Sequence, residues 1–137
     1  MDTTNDPNPL HAAIPYTALL DLRPIRQDAD MCIIEMVWQE GLCTANGILH
    51  GGAVMSLADT AGALLAFMNL PSGAIATTTI ESKTNLFAAA RAGSTLTATA
   101  VVLHCGRTTI VVETEVRDQT ERLVAKTTQT QAVLAAR

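Results

Sequence analysis

The chain has 137 residues, of which 48% are hydrophobic, 16% charged and 3% aromatic, and its formal net charge is −4. That length allows one domain with its own core, and the apolar content excludes disorder over most of it. Nine Lys and Arg stand against thirteen Asp and Glu, with no basic run and no aromatic–basic interleaving, which excludes the usual nucleic-acid footprint.

Residues 1–8 are polar and read as a loose, disordered tail, leaving 9–137 as a single domain. The opening residues form neither a basic nor an apolar leader segment, so no secretory signal is expected and the chain is placed in the cytoplasm. Leu10 to Leu22 carries apolar residues at roughly helical spacing, interrupted by Pro15, and predicts one short surface helix. Met31 to Glu40 alternates in part and predicts a strand. Residues 41–50 form a loop with Gly41, Asn46 and Gly47, and a helix over 51–68 stops before Asn69, Pro71 and Gly73. The texture then changes to threonine and valine. Strands are expected near 74–87, 94–105, 108–117 and 122–134, joined by short turns and therefore antiparallel. The expected fold is α+β: an antiparallel five-stranded sheet wrapped around a long central helix. Its open edges favour dimerisation.

The central helix is the most informative element. It is apolar all round, which predicts burial on every side. Asp59 is its only charged side chain. A buried carboxylate is costly unless paired or partly solvated, and such costs mark catalytic groups. The bland reading, a carboxylate paired with backbone or a threonine, stays open. Residues 53–70 approach the length of a membrane span. A central Asp costs roughly 2.5–3.5 kcal/mol on the insertion scale, so a buried core helix and no membrane partner are expected. Cys32, Cys43 and Cys105 are odd in number without C-x-x-C spacing, which predicts reduced thiols buried as small hydrophobes. His11, His50 and His104 share no ligand spacing, so no metal and no cofactor are expected.

The segment Asn46-Gly47-Ile48-Leu49-His50-Gly51-Gly52, with Asp59 nine residues after His50, closely resembles the hotdog-fold acyl-CoA thioesterases, nearest the phenylacetic-acid-degradation branch. The resemblance covers roughly residues 15–134 and includes His104-Cys-Gly-Arg-Thr108 and the closing L-V-A-K-T-T-Q-T. It implies hydrolysis of aryl or medium-chain acyl-CoA to free acid and coenzyme A. It implies Asp59 as the catalytic carboxylate, a backbone N–H at Gly51 or Gly52 as polarising donor, and Asn46 and His50 lining the site. Thr79 matches a position that meets substrate; Ser82 is added from the same strand. It also implies a homodimer, and a homotetramer as a dimer of dimers. Leu86 to Ala90 lacks the proline frequent in the family, and Asp118 to Glu121 lacks the usual turn glycine; both concern loop shape.

The chemistry suits these residues. A helix N-terminus offers free N–H groups and a positive dipole end, and glycine lets a carbonyl approach them. Asp59 would activate water or attack directly. Gly52 and Asp59 are seven residues apart and share a helix face; at ~1.5 Å per residue they stand about 10 Å apart along the axis. One thioester carbon does not reach both, so the site is expected to combine Gly52 of one subunit with Asp59 of another. Arg91 and Arg107 read as solvated turn residues or as contacts to coenzyme A phosphates. Two other functions compete. A hotdog hydratase or dehydratase would want Asp-x-x-x-x-His, which is absent. A non-catalytic acyl-CoA-binding module would keep the pocket and dispense with Asp59.

Overall fold

A computed structural model of the chain describes residues 7–137. Of the tail expected over 1–8, residues 1–6 lie outside the described residues; the Asn8 side chain accepts from the Leu10 N–H and caps the first helix. The single helix expected over Leu10 to Leu22 is two short ones, α1 (Pro9–Ala13) and α2 (Tyr16–Leu19). Pro15 explains the break, because its ring lacks an N–H and clashes with the preceding turn. The buried Thr17 hydroxyl ties the two together by donating to Ile14 O at 2.7 Å.

Six strands follow instead of five. β1 (Arg23–Gln27) reads R-P-I-R-Q, which alternation and propensity both disguise. It survives as an edge strand paired only with β2 (Cys32–Val37), and its bulge falls between Pro24 and Arg26, a site that tolerates proline. The other strands are β3 (Ala74–Leu86), β4 (Thr95–Cys105), β5 (Thr109–Arg117) and β6 (Leu123–Ala135). All pairs are antiparallel in the order β1-β2-β4-β5-β6-β3, so β1 and β3 are the edges. In the turn between β5 and β6, Glu121 takes the left-handed φ of 67° that a glycine would otherwise supply. The Asp118 carboxylate holds this turn, accepting from Thr120 N and Oγ1 and from Arg122.

The long helix α3 (Gly51–Met68) lies across one face of the sheet and touches β2 to β6. Period-two burial makes that face: Ile34 and Met36 on β2, Leu96, Ala98 and Ala100 on β4, Ile110, Val112 and Val116 on β5. They meet Val54, Leu57, Ala58, Ala61 and Leu65 of α3. The run is long and apolar enough to cross a membrane, but these side chains pack inside the domain.

Burial of α3 on every side does not hold. Met55 and Phe67 are exposed, while Gly52, Ser56, Asp59, Thr60 and Ala63 are half-buried. Their spacing of three and four residues draws one stripe along the helix, turned away from the apolar centre of the sheet. The expectation for the thiols is corrected as well. Only Cys32 is buried, and burial pushes its thiol up to about 11; Cys43 is half-buried and Cys105 exposed.

Candidate active site

The site begins at the entry to α3. His50 is the N-cap, and its Nδ1 accepts from the Gly52 N–H at 2.8 Å. A neutral ring accepting at Nδ1 carries its proton on Nε2. The Gly52 donor is therefore engaged, whereas the Gly51 N–H has no acceptor among the described residues. At both glycines a Cβ would crowd a neighbouring side chain. A Cβ at Gly51 would stand 2.8 Å from Leu86 Cδ1, and one at Gly52 would stand 2.9 Å from His50 Nδ1.

Two turns on, Asp59 sits in the open stripe. Gly52 and Asp59 line one cavity of about 350 Å³ together with Tyr16, Met55, Ser56 and Ser82. A second cavity, of about 340 Å³, continues from Asp59 along Ile14, Ala63, Leu64 and Phe67, and is apolar. A third, of about 610 Å³, opens on the other side of Gly52 beneath His50, Leu20 and Leu42. Tyr16 borders all three, and its hydroxyl bonds Ser56 Oγ at 2.8 Å. Ser56 and Thr60 donate backward to Gly52 O and Ser56 O, so neither hydroxyl acts as an N-cap.

The sheet turns polar where it faces Asp59. Thr127, Gln129 and Gln131 of β6 are buried at alternate positions where other strands carry apolar residues. Their partners on β3 are Thr84, Ser82 and Thr79. Thr79 and Ser82, three residues apart, would face opposite ways in a regular strand. The register shift between Thr79 and Glu81 adds a residue, and both then face the helix. Gln131 Nε2 donates to Thr79 Oγ1 at 2.6 Å, and Gln129 Nε2 lies 3.4 Å from Asp59 Oδ1. Burial pushes the Asp59 carboxyl above its ordinary range, and the hydrogen bond from Thr79 pulls part of that shift back. Among the described residues, no charged side chain contributes.

The structure thus brings together Gly52, Asp59 and Ser82, with His50 and Gly51 at one end and Thr79 beneath. Asn46 is elsewhere: it is exposed in the loop with a left-handed φ of 64° and lines none of the three cavities. Arg91 and Arg107 are exposed and lie at opposite ends of α3. Ala90 O accepts from Leu49 N near the start of the helix, and Cys105 Sγ donates to Asn69 O at its end. Gln129 and Gln131 escape a reading by motif. Their signal is the alternation T-x-Q-x-Q, polar on the face that should be core. Among the described residues, no three His, Cys, Asp or Glu side chains gather where a metal ion would bind.

A helix laid on an antiparallel sheet, with an N-terminal donor site and a carboxylate on its open stripe, is the hotdog fold of thioester-hydrolysing proteins. The sequence pattern of the thioesterase superfamily matches residues 46–125, and the chain belongs to that superfamily. It is 34% identical to the Saccharolobus solfataricus protein named "Putative esterase SSO2140", over 78% of this chain and 74% of that one. AziG of S. sahachiroi superposes with a TM-score of 0.84 at 28% identity, over 89% of this chain and 98% of the other. The E. coli PaaI protein of the phenylacetic acid degradation operon shares the fold, with a TM-score of 0.83 at 24% identity over 93% and 90% of the two chains.

Proposed function

We propose that this protein hydrolyses acyl-CoA thioesters, with an aryl or medium-chain acyl group, and that it is of the phenylacetic-acid-degradation type. One observation carries the reading. In a chain of the thioesterase superfamily, a half-buried carboxylate raised by desolvation stands on the open stripe of a helix whose glycine entry offers a free Gly51 N–H among the described residues, the two halves that a pair of subunits would join. A raised carboxylate is the stronger base. Asp59 takes a proton from water as the water oxygen attacks the thioester carbon. The carbonyl oxygen collects charge toward the donors at His50 and Gly51. The C–S bond then breaks, and the thiolate of coenzyme A leaves and recovers the proton. The apolar cavity along Ala63, Leu64 and Phe67 suits the acyl group, with Thr79 and Ser82 on its sheet side.

The working unit is a homodimer, assembled further as a dimer of dimers. The 13-residue edge strand β3 exposes Ile75 and Ile80, and the stripe of α3 exposes Met55 and Phe67. A second copy would cover both and bring Gly52 of one subunit to Asp59 of the other. Arg91 and Arg107, at opposite ends of the helix, would then serve the nucleotide from different subunits. Three unpaired cysteines support a cytoplasmic setting. The test is a hydrolysis screen over acyl-CoAs of varied chain length and aromaticity. Release of coenzyme A from aryl or medium-chain members supports the reading, and failure on every acyl-CoA removes it.

A further inference from the structure

Gln129 is 1% exposed, and only half of its amide is satisfied. Nε2 lies 3.4 Å from both Asp59 O and Asp59 Oδ1, while Oε1 has no partner among the described residues. Gly62 of α3 stands over that oxygen, and a Cβ there would crowd Oε1 and force the buried Gln129 side chain to shift. Two features that lower stability therefore coincide: a glycine in a helix interior and a half-satisfied buried amide. Its cross-strand neighbour Val112 shows that this layer of the sheet accepts a hydrophobe. A methionine would fill the place of Gln129 without leaving a half-satisfied amide. The amide is kept for what its N–H reaches.

Two residues further on, Gln131 Nε2 donates to Thr79 Oγ1 at 2.6 Å. A hydroxyl has a single proton. With its oxygen already accepting from Gln131, Thr79 turns that proton away from Gln131, on the side of the Asp59 carboxyl, whose pKa a hydrogen bond from Thr79 lowers. We propose that Gln129 and Gln131 are positioning residues that fix the orientation of the Asp59 carboxylate, Gln129 directly and Gln131 through the Thr79 hydroxyl. The inference rests on Asp59 being the catalytic carboxylate. An oriented carboxylate presents one defined oxygen to water, and small misplacements of a base cost rate more than binding.

The experiment is a double-mutant cycle on kcat and KM with an acyl-CoA, alongside melting temperatures. Gln131→Met and Thr79→Val should each lower kcat about tenfold with KM nearly unchanged, and the double variant should lose no more than Thr79→Val alone. Thr79→Ser keeps the hydroxyl and should keep kcat. Gln129→Met should lower kcat about tenfold with an equal or higher melting temperature. Should Gln131→Met not fold, the isosteric Gln131→Glu is decisive, because a carboxylate would draw the Thr79 proton away from Asp59 and cause the same loss. Multiplicative losses in the cycle would overturn the relay. Wild-type kcat in folded Gln129→Met and Gln131→Glu would overturn the proposal. An active Asp59→Asn would instead remove the underlying reading, whatever the glutamines do.

Discussion

The Gly52 N–H donates to Nδ1 of His50 at 2.8 Å, so the side chain before the helix occupies a donor that a substrate carbonyl would seek. The bond also polarises the ring. A donor at Nδ1 makes the Nε2–H a stronger donor, as chains of hydrogen bonds do. In the proposed mechanism the polarising groups are then His50 Nε2–H and the Gly51 N–H, which has no acceptor among the described residues, with Gly52 acting through the imidazole.

His50 caps the helix, and the proposed mechanism gives it a second, separable duty as a donor. His50→Ala should lower stability by about 1 kcal/mol, as loss of an N-cap does. It should also lower kcat by roughly 10²-fold, the scale of a lost oxyanion donor. His50→Asn can cap Gly52 and should recover the stability without the rate. Melting curves and turnover of the two variants decide. Equal turnover in both, near wild type, would leave His50 as a cap alone.

The pH dependence follows from the direction of the Asp59 shift. Burial raises its folded pKa, so the base is lost to protonation at a higher pH than for an ordinary carboxylate. The acid limb of kcat/KM should lie above the normal Asp range. The linkage sign is that of a raised group: the protonated fold is favoured, and stability is lost as pH rises through the folded pKa. Asp59→Asn should therefore melt at or above the wild-type temperature at neutral pH. A clear fall in melting temperature would mean that the carboxylate is structural.

Much of this architecture is legible in the chain itself. Helix 51–68 and the four later strands stand within a residue or two of their expected bounds, because Asn69, Pro71 and Gly73 and the turns at Gly93 and Gly106 punctuate them. β1 is not legible, since R-P-I-R-Q lacks alternation and has Ile25 as its one β-branched residue, and it is held only by its neighbour β2. Motif spacing singled out Asp59, His50 and the glycines. The support under Asp59 was invisible for a different reason. Gln129 and Gln131 matter through cross-strand register with Thr79 and Ser82, and through a bulge, neither of which a linear motif encodes. Likewise, the open stripe on α3 is a property of how much helix one sheet can cover, not of composition.

Recognition of the nucleotide is testable apart from the chemistry. Arg91→Ala and Arg107→Ala should raise KM for an acyl-CoA more than they lower kcat, because remote phosphates bind ground and transition states alike. The same acyl group on N-acetylcysteamine should be insensitive to both changes. Equal kcat/KM on the two carriers, unaffected by either substitution, would mean that the nucleotide is not read.

A shared site makes a prediction about mixed chains. In a two-fold dimer of Gly52→Val and Asp59→Asn subunits, one site carries both defects and the other carries neither. Random mixing makes half the dimers hybrid, each with one intact site of two, so about a quarter of wild-type activity should return. Recovery after co-refolding two inactive variants supports the shared arrangement. No recovery from hybrids verified by mass would place Gly52 and Asp59 in the same subunit's site.

The most direct measurement is the turnover of folded Asp59→Asn on the best acyl-CoA. The substitution preserves shape and removes the base, at the cost of turning one accepting oxygen into an NH2 donor. A fall in kcat of at least ~10², with KM little changed and the wild-type circular dichroism spectrum, is the expected result. Turnover near the wild-type value in that folded variant would contradict catalysis by Asp59.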